Sequence, residues 1–274
     1  LVIAFVYFSL GWTSNISNLG GDSAGYLLAA QYFSPYQPSS AVVLDYSAQI
    51  IYPPLLPVTL ALFGGGESIL VAHEIVMCFL LVAMVFMYRW ARAEKLSVGI
   101  SAAVVVMFAL MPSTYLMSFN IWTENLYLLF SLAAIAALAR DSVISERMWA
   151  LAAVAVCAAL LTRVAALPLA VAFLFYLVKH RPRRMFPLAA IAIVPFAIWA
   201  AVSAITQRGA GAYVAHLQGK YSDNPVQFFI HQATVESHAL YHAWLDAWLG
   251  QSPTAVAAVI VVIFGVLGLA GWLL

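Results

Sequence analysis

Residues 186–206, FPLAAIAIVPFAIWAAVSAIT, run without one ionisable side chain. About 20 apolar residues in helical form match the roughly 30 Å hydrocarbon core of a bilayer. Inside that core a helix satisfies every backbone N–H and C=O within its own segment, whereas an open sheet leaves its edges unsatisfied. Comparable runs recur near 1–12, 68–88, 98–112, 122–139, 148–162, 164–178 and 254–274. The fold class this predicts is all-α, a polytopic membrane helical bundle. Composition agrees: the chain is 65% hydrophobic and 8% charged, with mean hydropathy +0.96, where a globular domain is about half apolar and about a quarter charged.

The cations orient these runs. Arg89, Arg92 and Lys95 fall in one connection, Arg140 and Arg147 in another, and Lys179, Arg181, Arg183 and Arg184 in a third. Nine of the 12 Lys and Arg thus share one side, which the positive-inside rule makes cytoplasmic. Residues 13–67 and 207–253 then lie outside, carrying Asp22, Asp45, Glu67, Asp223, Glu236 and Asp246 but only Arg208 and Lys220. The net charge of +1 and the lack of a basic stripe give no reason to expect nucleic acid. Cys78 and Cys157 lie inside apolar runs and read as small packing residues. The first residue is not Met and the last run is still apolar at residue 274, so the chain is expected to be part of a longer protein. The short opening run lacks the basic flank of a signal peptide.

Met148 to Val178 as one helix would be about 46 Å long, too long for a single ordinary span. It would also put Arg147 and Lys179 on opposite sides. The sequence therefore predicts a hairpin bent near LLTRVAALP, with legs of about 23 Å and Arg163 at the bend, within the membrane profile. An ionisable residue at that depth is costly and marks a functional site by default.

The first external stretch is too long for a plain connection. GGDSAGYLLAAQYF predicts a helix from Asp22 or Ser23, both helix-capping residue types, with Tyr26, Ala29, Ala30 and Phe33 on one interfacial face. SPYQPSSAVVLDYSAQI reads as a loop. YPPLLPVTLALFGGG predicts a short helix starting at Pro54 and ending at the glycines. Three ionisable groups, Asp22, Glu124 and Arg163, then gather at one depth on the outer side. Each has an ordinary explanation: a helix cap for Asp22, the helix dipole for Glu124 and snorkelling for Arg163. One outward-facing cavity would account for all three together.

His73 and Glu74 sit near the same side, lining that cavity or gluing helices together. Asp45 stands alone in its loop, solvated or touching a ligand. Residues 207–253 carry His238 and His242, four apart, with Asp246 on the same face. Such a pair can bind zinc but lacks the internal glutamate of the HExxH motif, so an amphipathic helix anchored by Trp244 and Trp248 is the better reading. No P-loop, dinucleotide fingerprint or nucleophile triad is present; GGGE at 64–67 neither follows a strand nor opens a phosphate-binding helix.

Four segments, in order, resemble the GT-C glycosyltransferases, nearest the bacterial branch related to protein mannosyltransferases and aminoarabinose transferases. GDSAGYLLAAQ looks like that family's acidic motif in the first external loop, and YPPLLPVTLALFG like its PPL segment. TENLYLLFSLAAIAAL looks like its Thr-Glu at the start of a span, and LTRVAALPLAVAFLFYLV like its helical hairpin with arginine at the bend. Together they cover about residues 1–206, with 207–253 an external segment and 254–274 a further span. The family often has two acids in the first loop, whereas Ser23 follows Asp22 here. A divalent metal, and whether Asp45 or Glu124 supplies the second carboxylate, stay open.

The resemblance implies a GT-C-like fold with interfacial helices in the first external loop. The chain would move a sugar from a polyprenyl-phosphate donor to an acceptor glycan, lipid or protein at the outer face of a bacterial inner membrane, inverting the anomeric centre. Asp22 would be the general base and Arg163 the phosphate-binding group. Glu124 would orient Arg163, bind a sugar hydroxyl or hold a metal. Tyr26 and Tyr52 would line the sugar or lipid groove, although anchoring in the aromatic belt is the better reading of both. The alternatives are a secondary transporter, which would place polar groups near the midplane and show repeats, and a non-catalytic subunit that binds lipid-linked precursors.

Overall fold

The predicted hairpin is present. Helix α8 (Glu146–Thr162) and helix α9 (Leu167–His180) are joined by an extended Arg163 and a single 3-10 turn, Val164–Ala166. Ser145 caps α8 by accepting from the Met148 N–H, and Pro168 sets the first turn of α9, where its missing N–H costs nothing. The far ends of the two legs come back together. Trp149 stacks on Tyr176 at 5.4 Å, and Arg181 lies over Trp149 and within 3.7 Å of Glu146.

This computed structural model describes residues 3, 6, 22–47, 52–139 and 145–205. Most of the span predicted at 1–12, the span at 254–274, and the segment 207–253 with His238 and His242 lie outside them. The described chain is all helical: α1 (Asp22–Phe33), α2 (Ala41–Ser47), α3 (Leu55–Leu62), α4 (Ile69–Ala93), α5 (Val98–Leu110), α6 (Pro112–Phe119), α7 (Thr123–Leu138), α8, α9 and α10 (Met185–Ile205). Among these residues two helical stretches, Ile69–Ala93 and Pro182–Ser203, are long and apolar enough to cross a membrane. The predicted runs at 98–112, 122–139, 148–162 and 164–178 all emerge as helices, α5, α7, α8 and α9, of 13, 16, 17 and 14 residues. At 1.5 Å per residue they measure about 20–25 Å, short of the roughly 30 Å core.

Helix α8 is the hub. Its alanines 152, 153, 155 and 159 are buried, and small side chains let neighbouring helices approach closely. Trp149, Leu160, Phe173 and Leu177 fill the space between α7, α8, α9 and α10. A second cluster packs α1 and α3 onto α4 and α7: Tyr26, Leu27 and Ala30 of α1 meet Leu56 and Leu60 of α3, Ala72 and Val76 of α4, and Leu126 of α7.

Two expectations for the first external stretch are corrected. Residues 41–47 form helix α2 rather than a loop, because Ser40 caps it, its Oγ accepting from the Val43 N–H at 3.3 Å. Asp45 therefore falls on a helix; its side chain lies outside the described atoms. The buried face of α1 is Ser23, Tyr26, Leu27, Ala29 and Ala30. Phe33, at the last position of the helix, is exposed with its ring edge-on to Tyr32. The face is set by packing on α3 and α4, and the surface over Ala30 is the bare backbone of Gly66: a Cβ there would stand 3.1 Å from the Ala30 carbonyl carbon. Gly64, at φ +79°, ends α3 as predicted. The N–H of Gly65 reaches the Leu60 oxygen at 2.7 Å and that of Gly64 the Ala61 oxygen at 3.3 Å, the paired bonds of a Schellman motif.

Candidate functional site

The ends of the bundle differ in charge. At one end Arg89 and Arg92, on the last turns of α4, line a groove with the end of α7 and the start of α8, and Arg181 lies within 3.7 Å of Glu146. The opposite end gathers the start of α1, the segment before α3, the start of α7 and the α8–α9 corner, and holds Asp22, Tyr52, Glu124 and Arg163.

Local sequence fixes each of these. Asp22 is the first residue of α1, where a carboxylate suits the unsatisfied N–H groups. The next residue, Ser23, is fully buried, and its Oγ accepts the Ile121 N–H at 3.2 Å. That bond ties the first turn of α1 to the segment entering α7, three residues ahead of Glu124. Asn125, also buried, donates from Nδ2 to the Met117 oxygen at 2.8 Å and so holds α6 against α7. Arg163 is the C-cap of α8; its own N–H bonds the Ala159 oxygen at 2.9 Å.

From these positions a continuous chain of contacts runs across the site. Tyr52 donates its hydroxyl to Asp22 Oδ1 at 3.0 Å. Its ring meets that of Tyr26, centroids 4.8 Å apart and tilted by 46°. Tyr26 shares a side-chain hydrogen bond with Thr123, and Thr123 Oγ1 stands 3.4 Å from Glu124 Oε2. Glu124 in turn pairs with the Arg163 guanidinium. Burial pushes the Tyr26 hydroxyl up to about 12, against the pull of the Thr123 hydrogen bond; the Asp22 and Glu124 carboxylates push the same way and Arg163 opposes them. Tyr26 thus feels all three ionisable groups at once and stays a neutral phenol. Arg163 and Glu124 keep 41% and 33% of their side-chain surface open, so an incoming anion can reach the guanidinium from solvent.

The structure therefore brings together Asp22, Tyr26, Tyr52, Glu124 and Arg163. It does not bring in His73 and Glu74, which are half-buried on α4 and make no hydrogen bond or ion pair among the described residues. Ser23 and Thr123 were missed in the sequence. The buried bond of Ser23 to the Ile121 N–H accounts for its hydroxyl. Among the described residues no group of three or more His, Cys, Asp or Glu is placed to hold a metal ion.

Comparison with protein-family models, curated proteins and solved structures finds no match to this chain.

Proposed function

We propose that this chain is a membrane-embedded glycosyltransferase of the GT-C type, taking a sugar from a polyprenyl phosphate at the end of the bundle that holds Asp22. The observation that carries the reading is the unbroken contact path from Asp22 through Tyr52, Tyr26, Thr123 and Glu124 to Arg163. A base and a phosphate-binding cation are the two groups that an inverting displacement from a lipid phosphate needs. Membrane embedding is supported by the two long apolar helices and by large apolar side chains turned outward, among them Phe175, Phe186, Ile198 and Ile205. The cation-rich far end favours a cytoplasmic position for that end, which supports a site on the outer face of the membrane; the bacterial inner membrane is what the GT-C resemblance implies.

In this reading Asp22 accepts the proton of the acceptor hydroxyl or amine as that atom bonds to the anomeric carbon. The bond from that carbon to the phosphate oxygen breaks on the opposite side, inverting the centre, and the phosphate leaves with the electron pair. Tyr52 holds Asp22 Oδ1, which keeps the carboxylate aimed without consuming its other oxygen. Arg163 receives the phosphate: its planar guanidinium is a bidentate match for two phosphate oxygens and stays charged at any working pH. Glu124 holds the guanidinium in place. The polyprenyl tail would lie in lipid beside the α8–α9 corner.

The test is Asp22→Asn in membranes supplied with labelled polyprenyl-phosphate sugar. Loss of a positioned base is worth about 10²–10⁴ in rate, and transfer at the wild-type rate would remove Asp22 from the mechanism.

A further inference from the structure

At the cation-bearing end, α4, α7 and α8 leave a groove of about 980 Å³ between them. Its walls are apolar, with Val82 and Phe86 from α4, Ala133 from α7 and Leu151 from α8, while Arg89 and Arg92 stand at one end of it on the last turns of α4. Val82 and Leu151 are 44% and 57% exposed, so the groove opens outward rather than into the core. From residue 82 to residue 92 helix α4 rises about 15 Å, which is half of the roughly 30 Å hydrocarbon core and therefore the depth of one leaflet. An apolar trough one leaflet deep, closed at its polar end by two guanidinium groups, matches the shape and charge of a single amphiphile with an anionic head.

The surroundings reinforce the sign. Arg147 in the first turn of α8, Lys179 in the last turn of α9, and Lys95, Arg181, Arg183 and Arg184 in the connections lie at this end. The described carboxylates there are Glu94 and Glu146. Glu94 accepts from Trp90 Nε1 at 3.1 Å, Glu146 faces Arg181 at 3.7 Å, and neither is among the residues lining the groove. Arg92 also donates to the Leu96 carbonyl, which fixes its guanidinium at the mouth of the trough.

We propose that this groove binds one anionic phospholipid of the leaflet on that side, its phosphate on Arg89 and Arg92 and an acyl chain along Val82, Phe86, Ala133 and Leu151. Guanidinium recognises phosphate bidentately and is weakly hydrated, so it suits a head group at the edge of hydrocarbon. The site is at the opposite end of the bundle from Asp22 and does not depend on the transferase reading.

The experiment uses the full chain, purified in detergent and stripped of lipid, then titrated separately with phosphatidylglycerol and phosphatidylcholine while bound lipid is counted by native mass spectrometry. One tightly held phosphatidylglycerol is expected, bound more tightly than phosphatidylcholine. An arginine at an anionic lipid surface is worth about fivefold in binding, so Arg89→Gln with Arg92→Gln should weaken phosphatidylglycerol about 25-fold and leave phosphatidylcholine unchanged. The Arg89→Lys and Arg92→Lys pair keeps most of the preference. Ala133→Trp, which fills the trough, removes both lipids, and an unchanged melting temperature for the Gln pair separates lost binding from lost folding. Equal affinity for the two lipids overturns the proposal, as does a Gln pair that binds normally. Displacement of the lipid head by millimolar inorganic phosphate with no acyl requirement would assign the arginines to a free anion instead, and failure to retain any lipid would show the trough covered by the chain's own residues.

Discussion

Tyr52 reaches across 30 residues of sequence to donate its hydroxyl to Asp22 Oδ1 at 3.0 Å, while its ring packs on Tyr26. The two functions of this side chain separate by substitution. Tyr52→Phe keeps the ring contact and frees the carboxylate, so transfer should fall about tenfold, the scale of one lost hydrogen bond to a charged group, with an unchanged melting temperature. Tyr52→Ala removes the aromatic pair as well and should also destabilise the fold, by at least the about 0.5–1.5 kcal/mol that such a pair contributes. If the two variants melt alike, the ring contact is irrelevant to stability.

Ser23→Ala leaves the Ile121 N–H buried without its acceptor. An orphaned buried donor costs about 1–3 kcal/mol, so the variant should melt several degrees lower in detergent. Because the same bond joins the Asp22 turn to the approach to Glu124, activity should fall even at temperatures where the variant is fully folded. A Ser23→Ala protein with native melting and native turnover would show the tie to be dispensable.

Arg163 and Glu124 make an ion pair in which both partners remain partly open to solvent. Exposed pairs contribute about 0–1 kcal/mol. A double-mutant cycle of Arg163→Gln and Glu124→Gln should therefore give a stability coupling of no more than about 1 kcal/mol. If Arg163 receives the phosphate as proposed, Arg163→Lys should cut kcat and kcat/KM together, since a contact that strengthens as the leaving group departs acts on the transition state. A rise in KM alone would make Arg163 a ground-state anchor for the donor.

Much of this arrangement was legible in the sequence, for stated physical reasons. Hydropathy located α4, α5, α7, α8, α9 and α10, and helix length against bilayer thickness predicted the break at Arg163. Depth along the chain put Asp22, Glu124 and Arg163 at one level. What the sequence withheld was pairing: nothing local tells Ser23 to bond a backbone group 98 residues away, or Tyr52 to choose Asp22. The face of α1 was misjudged at Phe33 because periodicity fixes which residues share a side, whereas the packing partner, glycine backbone at Gly66, decides how far burial extends. Helix α2 was hidden by the Pro and Ser residues before it, one of which, Ser40, is its cap.

Lys95 offers a test of backbone rather than chemistry. It ends α4 at φ +62°, with its N–H on the Arg92 oxygen and that of Leu96 on the Ala91 oxygen, both at 3.2 Å. Gly64 plays the same part after α3 at φ +79°. A side chain in this conformation costs about 1–2 kcal/mol that glycine avoids. Lys95→Gly should therefore raise stability by about 1 kcal/mol and Gly64→Ala lower it by a similar amount. Gly66→Ala should be worse than either, since its Cβ would press on the backbone of Ala30 and Gln31 at 3.1 Å, which side-chain rotation cannot relieve. Thermal melts of the three single variants should rank in that order, and a neutral Gly66→Ala would mean that α1 can shift away from the turn.

Tyr26 makes stability depend on alkaline pH. Burial holds its hydroxyl neutral, raising it from 10.0 in the unfolded chain to about 12 in the folded one. The folded state thus resists deprotonation that the unfolded state accepts. The contribution of this group is fully present below about pH 10 and is lost as pH climbs from there through about 12, a total of about 2–3 kcal/mol for a shift of this size. Other tyrosines titrate over the same range, so the measurement is a difference: melting temperatures of wild type and Tyr26→Phe, followed in detergent from pH 8 to 12. Tyr26→Phe loses the hydrogen bond to Thr123 and should start lower, but its curve should fall less steeply above pH 10, so that the gap narrows. Curves that stay parallel to the end would mean that the Tyr26 hydroxyl is no more shielded from solvent in the folded protein than in the unfolded chain.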